Sequence, residues 1–429
     1  MKFYSTKSPD QFVDIKEAVI RSLPADNGLY MPEKINQLSD EFWASWKDME
    51  FAEMGAAVVK TLFADAVPAA DLDALVKDAL NFEAPTVQLD ETTSILELFH
   101  GPTLAFKDFG ARFMARLMAY LTKDDESDLT VLVATSGDTG GAVADAFLGV
   151  EGTRVVILYP KGKVSLLQEK QLTALGGNIT ALEIDGSFDD CQRMVKAAFL
   201  NDEVNETLTS ANSINISRLV PQMLYYFDAV RKAGDDLVFV VPSGNFGNLT
   251  AALIATQMGM PVKHFVAATN ANDVVPQYLD SGDYQPRPSV PTISNAMDVG
   301  APSNFARMEE IYGNSWEDMK ANISGYTYND EQTREAIRAV KERYGYTIDP
   351  HGAVGWLAAE AWKSEHPGDH TVILETAHPS KFIDIMEEEL GAGSVEIPER
   401  LAILAEREKV ATPMAPDEAA LAEWLKENL

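Results

Sequence analysis

Leu129-Thr130-Val131-Leu132-Val133-Ala134-Thr135-Ser136-Gly137-Asp138-Thr139-Gly140-Gly141 is the stretch whose reading decides the fold. Six mostly apolar, β-branched-rich residues run into a polar, glycine-rich turn, and an amphipathic segment begins at once. That order is strand, turn, helix. Downstream, Arg154–Tyr159 and Ile179–Ile184 read as further strands, with Gly141–Leu148, Leu166–Ala174 and Ser187–Leu200 as the helices between them. This is the βαβ pattern of an α/β protein with parallel strands. After a long amphipathic stretch, Ile216–Lys232, the rhythm restarts with strand Leu237–Val241, helix Asn248–Met258 and strand Phe265–Thr269. Helices follow at Ser303–Tyr312, Asp330–Tyr344 and His351–Ser364, then strand Thr371–Glu375. Two open α/β domains are therefore expected. Residues 276–303 are rich in Pro, Gly, Ser and Asn and read as a long loop. Upstream, residues 1–90 read as a mainly helical N-terminal region, with apolar residues at helical spacing in Phe51–Phe63 and Leu72–Leu80. The expected division is 1–90, a larger α/β domain from 91–127 and 216–400, a smaller one from 128–215, and a helical tail at 401–429.

Composition narrows the partners. The 429 residues carry 35 basic and 66 acidic side chains, a formal net charge of −31. Such a surface repels polyphosphate backbones and anionic lipid, so neither nucleic acid nor a membrane is expected as a partner. A single thiol, Cys191, leaves no internal disulfide and no zinc framework, which fits a reducing, cytoplasmic setting. No apolar run approaches the roughly 18 residues of a membrane span. His366 and His370 flank a turn with nothing at metal-ligand spacing nearby, so no metal is expected.

Three polar segments interrupt the pattern. Thr135–Gly141 and Pro242–Asn248 each follow a strand and open a helix, the place where free backbone N–H groups and the helix dipole hold an anion. The same turn chemistry also serves plain helix capping. Neither loop is Gly-x-Gly-x-x-Gly, and the strand ending Tyr159-Pro160-Lys161 lacks a ribose-binding acid, which disfavours a nicotinamide dinucleotide. Gly162-Lys163 is followed by Val164, so it is no Walker loop, and Val241 two positions before Ser243 argues against a nucleophile elbow. The third segment runs from Phe99 to Gly110 and sets Lys107 among aromatic and apolar neighbours. A desolvated lysine can be a neutral amine near pH 7 and attack a carbonyl, as a Schiff base requires. A surface lysine whose stem covers apolar neighbours is the alternative.

Phe99–Gly110 resembles the lysine motif of pyridoxal-phosphate enzymes of the tryptophan-synthase-β structural type, fold type II. The fuller string is similar to that of the threonine synthase family. Asn27–Pro32, Thr135–Gly141, Ser210–Arg218, Pro242–Asn248, Ser294–Val299 and Thr376–Pro379 match that family in the same order along the chain. The resemblance implies pyridoxal 5'-phosphate as cofactor, with Lys107 as its Schiff-base lysine and proton carrier. It implies that Ser243, Gly244, Asn245, Phe246, Gly247 and Asn248 hold the cofactor phosphate and that Thr376 faces the pyridine nitrogen. Ser136, Gly137, Asp138 and Thr139 would receive the substrate α-carboxylate. Asp138 stands where many relatives carry an asparagine that contacts the cofactor's 3′-oxygen, and a carboxylate there must be protonated or turned away. Arg218 is the candidate for the substrate phosphate, because a guanidinium grips phosphate oxygens in a fork. Ser213 and Asn215 would assist, although in so acidic a chain Arg218 could instead pair with a carboxylate. The implied activity converts O-phospho-L-homoserine and water to L-threonine and phosphate, in a monomer or small homo-oligomer. A serine/threonine dehydratase or related β-eliminating enzyme is the alternative within the structural type, and a non-catalytic ligand sensor lies outside it. In either phosphate-handling case a positive pocket must exist inside a negative molecule, with the acidic excess outside the cleft.

Overall fold

Parallel strands covered by helices on both faces must be apolar throughout, and every residue of Leu129–Ala134 and of Leu237–Pro242 is buried. The computed structural model describes residues 1–63, 66–125 and 127–428, so Leu429 of the expected tail lies outside the described residues. A five-stranded sheet runs in the order Thr412–Met414, Ile179–Ile184, Thr153–Pro160, Leu129–Ala134, Leu208–Ser210, with every pairing parallel. A six-stranded sheet runs Ile323–Thr327, His264–Thr269, Leu237–Pro242, His370–Glu375, Thr93–Glu97, Thr86–Asp90. Only its last pair is antiparallel, a hairpin edge on a parallel sheet.

The N-terminal region carries the helices Phe51–Phe63 and Ala69–Ala79, and it also forms a small antiparallel sheet from Ser8–Val13, Phe3–Ser5 and Tyr30–Pro32. Two of its strands have only three residues, and Ser8–Val13 contains Pro9 and is mostly exposed, so no alternation shows in the sequence. Two strands fall outside the segments that sequence reading gave to their sheets. Thr86–Asp90, from the region read as helical, edges the six-stranded sheet, and Thr412–Met414, from the tail read as helical, edges the five-stranded one. The segment read as a loop at 276–303 contains most of a helix, Val274–Ser281. The stretch Ile216–Lys232 breaks into a 3₁₀ turn, Ile216–Arg218, and a helix, Gln222–Ala233. Pro221 sits at the cap between them, where its missing N–H costs nothing.

Helix starts are set locally. Ser165, Ser187 and Asn329 each build a reciprocal capping box with the residue three positions on. What matters for function is direction: both sheets send the C-terminal ends of their parallel strands toward the three polar segments singled out above.

Candidate active site

Lys107 opens helix Lys107–Thr122 after an irregular loop that leaves strand Thr93–Glu97. The loop is fixed from inside. The Asp108 carboxylate accepts from the Thr103 backbone N–H at 2.8 Å and from its hydroxyl at 2.6 Å. Gly101 has to be glycine, since a Cβ there would collide with that carboxylate. Leu104 takes a left-handed φ of 63°, and the loop is strapped to the segment after strand His370–Glu375. Phe106 N–H donates to the Thr376 carbonyl at 2.9 Å, and His378 N–H to the Leu104 carbonyl at 3.0 Å. The lysine motif and the threonine motif are thus one piece of backbone. Burial pushes the Lys107 amine down to about 8, with Arg218 and Lys381 adding to the fall and Asp138 opposing it.

The loop after strand Leu237–Pro242 faces this lysine. Phe246 sits in the left-handed region at φ 59°, which turns the chain into helix Gly247–Gln257. A Cβ on Gly244 would lie 2.6 Å from the Ala296 carbonyl oxygen, so only glycine lets segment 296–297 close over the loop. Ser243 and Asn248 brace the turn: the Ser243 hydroxyl donates to Asn248 Oδ1 at 2.7 Å, and Asn248 Nδ2 donates to the Pro242 carbonyl at 2.9 Å. Asn245 Oδ1 accepts from Ser303 N–H and hydroxyl at 3.3 and 3.2 Å.

These elements enclose a narrow cavity lined by Lys107, Ser136, Thr139, Ser213, Arg218, the residues Gly244 to Asn248, and Thr376, among others. Most of the residues expected at the site therefore meet. Among the described residues that line it there is no aspartate or glutamate. Four expected residues do not line it. Ser243 braces from beneath. Gly137 has φ 144° and its N–H is taken by the Thr135 hydroxyl at 3.0 Å, so it shapes the turn rather than offering a donor. Asn215 is committed to structure. Its Nδ2 donates to the Val19 and Ser210 carbonyls at 2.8 and 3.2 Å, and its Oδ1 receives the Ser217 N–H and hydroxyl at 3.1 and 2.7 Å. No polar atom of that amide remains for substrate.

Asp138 is turned away rather than protonated. Its Oδ1 pairs with the Lys381 ammonium at 2.5 Å and accepts from Gln168 Nε2 at 3.0 Å, with both charged groups buried. Burial alone would raise this carboxyl, but Lys381, Lys107 and the two hydrogen bonds outweigh it and hold the pKa well below the usual range. Lys381 also donates to the Thr103 carbonyl at 3.0 Å, which ties the turn carrying Asp138 to the lysine loop.

Arg218 is 3% exposed and makes no ion pair with a carboxylate among the described residues. Gly110 lets its guanidinium lie against helix Lys107–Thr122, one Nη donates to the Ala211 carbonyl at 2.5 Å, and its buried Nε has no partner. That Nε lies against Gly110, but the residue lines the cavity, and a guanidinium there without a carboxylate partner keeps its charge for an anion. The ion-pair alternative for this arginine is not met among the described residues.

Sequence reading missed two contributors. His351 lines the cavity; its Nε2 accepts from Ala296 N–H at 3.2 Å, which puts its proton on Nδ1, donated to Asp349 Oδ1 at 2.6 Å. Asp349-Pro350-His351 looks like a plain helix start, and Asp349 does cap helix Pro350–Glu365, so local pattern hides the second role. Lys381 gave no signal, because its partner is distant in sequence. His100 and His378 lie outside the cavity: His100 Nε2 pairs with Glu97 at 2.7 Å, and His378 caps the turn Pro379–Phe382. Thr376, two residues earlier, is not the cap of that turn.

The donor set suits pyridoxal phosphate: a glycine cradle at a helix start, a buried guanidinium without a carboxylate partner among the described residues, a lysine of lowered pKa and a neutral hydroxyl at one cavity. Comparison with known proteins agrees. The family "Pyridoxal-phosphate dependent enzyme" matches residues 90–376, with "Threonine synthase N terminus" at 2–80 and "Threonine synthase, C-terminal" at 352–424. Threonine synthase of Haemophilus influenzae is 46% identical over 409 residues, 94% of each chain, and that of Escherichia coli 43% identical over 428 residues, 98% of each. The crystal structure of the Escherichia coli enzyme superposes with a TM-score of 0.94 at 42% identity, covering all of both chains. A pyridoxal-phosphate-bound threonine synthase from Brucella melitensis gives 0.91 at 34% identity, covering 100% of this chain and 99% of the other. With its N-terminal, catalytic and C-terminal segments all matched and the lysine cavity assembled, the chain belongs to the threonine synthase family of pyridoxal-phosphate-dependent enzymes.

Proposed function

We propose that this chain converts O-phospho-L-homoserine and water to L-threonine and phosphate at the Lys107 cavity. The observation that carries the reading is a lysine with a lowered pKa sharing its cavity with a buried guanidinium that pairs with no carboxylate among the described residues, in a cavity free of lining carboxylates within a protein of charge −31. Pyridoxal phosphate, when bound, supplies the electron sink that makes protons on the substrate's carbon chain acidic. The chain's residues do the rest.

Gly244 to Gly247 would hold the cofactor phosphate on backbone N–H groups at the start of helix Gly247–Gln257, at no cost in net charge. Thr376 would face the ring nitrogen with a neutral hydroxyl, which leaves that nitrogen less protonated than a carboxylate would. Lys107 Nζ, at a pKa of about 8, is a neutral amine often enough near pH 7 to take a proton from the substrate and to return one. Ser136 and Thr139, at the start of helix Asp138–Phe147, would receive the α-carboxylate. The Asp138 charge does not oppose them, because Lys381 neutralises it. The Arg218 guanidinium would hold the leaving phosphate, with Ser213 beside it. Donors fixed before the reaction cost no reorganisation when charge moves to the departing group.

A dehydratase needs the same lysine and cofactor loop but only one substrate anion site, and the Arg218 guanidinium at the cavity, with no carboxylate partner among the described residues, favours a second. Among the described residues no helix is long and apolar enough to cross a membrane, and Cys191 is buried and unpaired. We infer a cytoplasmic protein acting on a small molecule, as a monomer or small homo-oligomer. The test is spectroscopic: purified protein should show the visible absorption of bound pyridoxal phosphate and lose it in Lys107→Ala. A colourless protein with no affinity for the cofactor overturns the reading.

A further inference from the structure

The lysine cavity adjoins a wider cavity of about 350 Å³, and Ala134, Asn212, Ser213 and Asn245 line both. Three parts of the molecule wall this outer chamber: the N-terminal segment through Lys7, Asn27 and Leu29, helix Phe188–Phe199 through Lys196, and the large domain through Asn245. The matched segment Asn27–Pro32, to which the catalytic reading assigns no duty, is thus partly a wall of this chamber.

The wall is built for rigidity. Asn27 adopts a left-handed φ of 59°. The Asp26 carboxylate is spent on the hydroxyls of Ser5 and Ser8 at 2.7 and 2.6 Å and on the Gly28 N–H at 2.8 Å. Arg307, fully buried, ties the N-terminal segment to the stretch 213–214 and to its own helix start. Its guanidinium donates to the Tyr30 carbonyl at 3.1 and 3.0 Å, to the Ser213 and Ile214 carbonyls at 3.2 and 2.6 Å, and to Asn304 Oδ1 at 2.7 Å. Among the described residues no carboxylate pairs with it.

The charge of the chamber is the reverse of the charge of the protein. Acidic residues outnumber basic ones 66 to 35 in the chain, yet the charged residues lining this cavity are Lys7 and Lys196, with no carboxylate among the described lining residues. Both lysines are exposed and neither forms an ion pair among the described residues. Asp26 feels Lys7 electrostatically, but its oxygens face the hydroxyls and the N–H named above. A phosphorylated amino acid approaching a surface of charge −31 is repelled everywhere except where the local potential is inverted. We propose that this chamber is the capture site for the phosphate monoester substrate. Lys7 and Lys196, on two different walls, draw in the phosphate group before it passes Ser213 to reach Arg218. The N-terminal segment is then part of the substrate path, and not only packing. This rests on the function proposed above.

The experiment uses the holoenzyme with O-phospho-L-homoserine, comparing wild type with Lys7→Gln, Lys196→Gln, the pair together, and the paired Arg versions. At about 20 mM salt the double Gln variant should lose about tenfold in kcat/KM while kcat and cofactor absorption stay unchanged, the pattern of lost capture. The deficit should shrink at about 300 mM salt, where screening removes the field, and the Arg versions should restore wild-type behaviour. A double Gln variant within twofold of wild type in kcat/KM at low salt overturns the proposal. So does a variant that changes only inhibition by inorganic phosphate, since that would make the chamber an exit. If wild type binds pyridoxal phosphate but does not turn over this substrate, the proposed function falls as well, and the two failures are told apart by the wild-type assay.

Discussion

Replacing Lys381 by methionine removes one half of a buried ion pair. Asp138 Oδ1 and Lys381 Nζ lie 2.5 Å apart, at 4% and 0% side-chain exposure, so water cannot take the lysine's place. A buried charge that loses its partner costs about 3 to 5 kcal/mol. At roughly 2 cal/mol/K of unfolding entropy per residue, the 429 residues turn this into a fall of about 3 to 6 °C in the unfolding midpoint. Asp138→Asn combined with Lys381→Met removes both charges and should recover most of that loss, giving a coupling of about 2 kcal/mol or more between the sites. The pH dependence has a definite sign. The Asp138 pKa is held below its unfolded value, so the pair's contribution is complete above about pH 4 and is lost as pH falls further. Scanning calorimetry at pH 7 and pH 4.5 should therefore show the same wild-type contribution from this pair. Turnover should respond too: Lys381→Met leaves a bare carboxylate beside Ser136 and Thr139 and should raise KM for the anionic substrate. A Lys381→Met protein as stable as wild type, or a double variant no more stable than the single, would refute the claim that Lys381 neutralises Asp138.

Gly244→Ala sets a Cβ 2.6 Å from the Ala296 carbonyl and should weaken pyridoxal-phosphate binding at least about tenfold, read by absorbance titration of the apoenzyme. Arg218→Ala should leave cofactor absorption intact and raise KM for phosphohomoserine, with the loss in kcat/KM near the 10²-fold scale of a charge-assisted hydrogen bond; unchanged kinetics would make the arginine structural. Asn215→Ala orphans two carbonyls and the Ser217 donors and should cost about 2 kcal/mol of stability while leaving KM alone. A specific rise in KM would return Asn215 to the substrate site.

Much of the fold was readable because parallel strands announce themselves. Leu129–Ala134, Ile179–Ile184 and helix Asp330–Tyr344 fall where periodicity places them. Strand Ile323–Thr327 escaped because it is an edge strand, only partly buried and interrupted by Gly325, so neither an apolar run nor alternation marks it. Thr412–Met414 escaped because three residues with a proline carry no period. At the site, backbone-anchored features were legible: the Lys107 string and the glycine turn at 243–248 are contiguous in sequence. The pairing of Lys381 with Asp138 and the contact from His351 to Ala296 were not, since each joins distant segments and is decided by packing. Asn215 was misread for the mirror-image reason. A polar residue in a polar string looks available for ligand, and only the structure reveals that both ends of its amide are already bonded.

The acidic excess and the phosphate chemistry are compatible because attraction is local: cations face both cavities, and no carboxylate among the described residues lines either. The most direct test of that account is product analysis with purified holoenzyme and O-phospho-L-homoserine. Inorganic phosphate and L-threonine released in equal amounts, and abolished in Lys107→Ala, is the predicted result. Formation of a 2-oxoacid from threonine with no phosphate released from phosphohomoserine would contradict it.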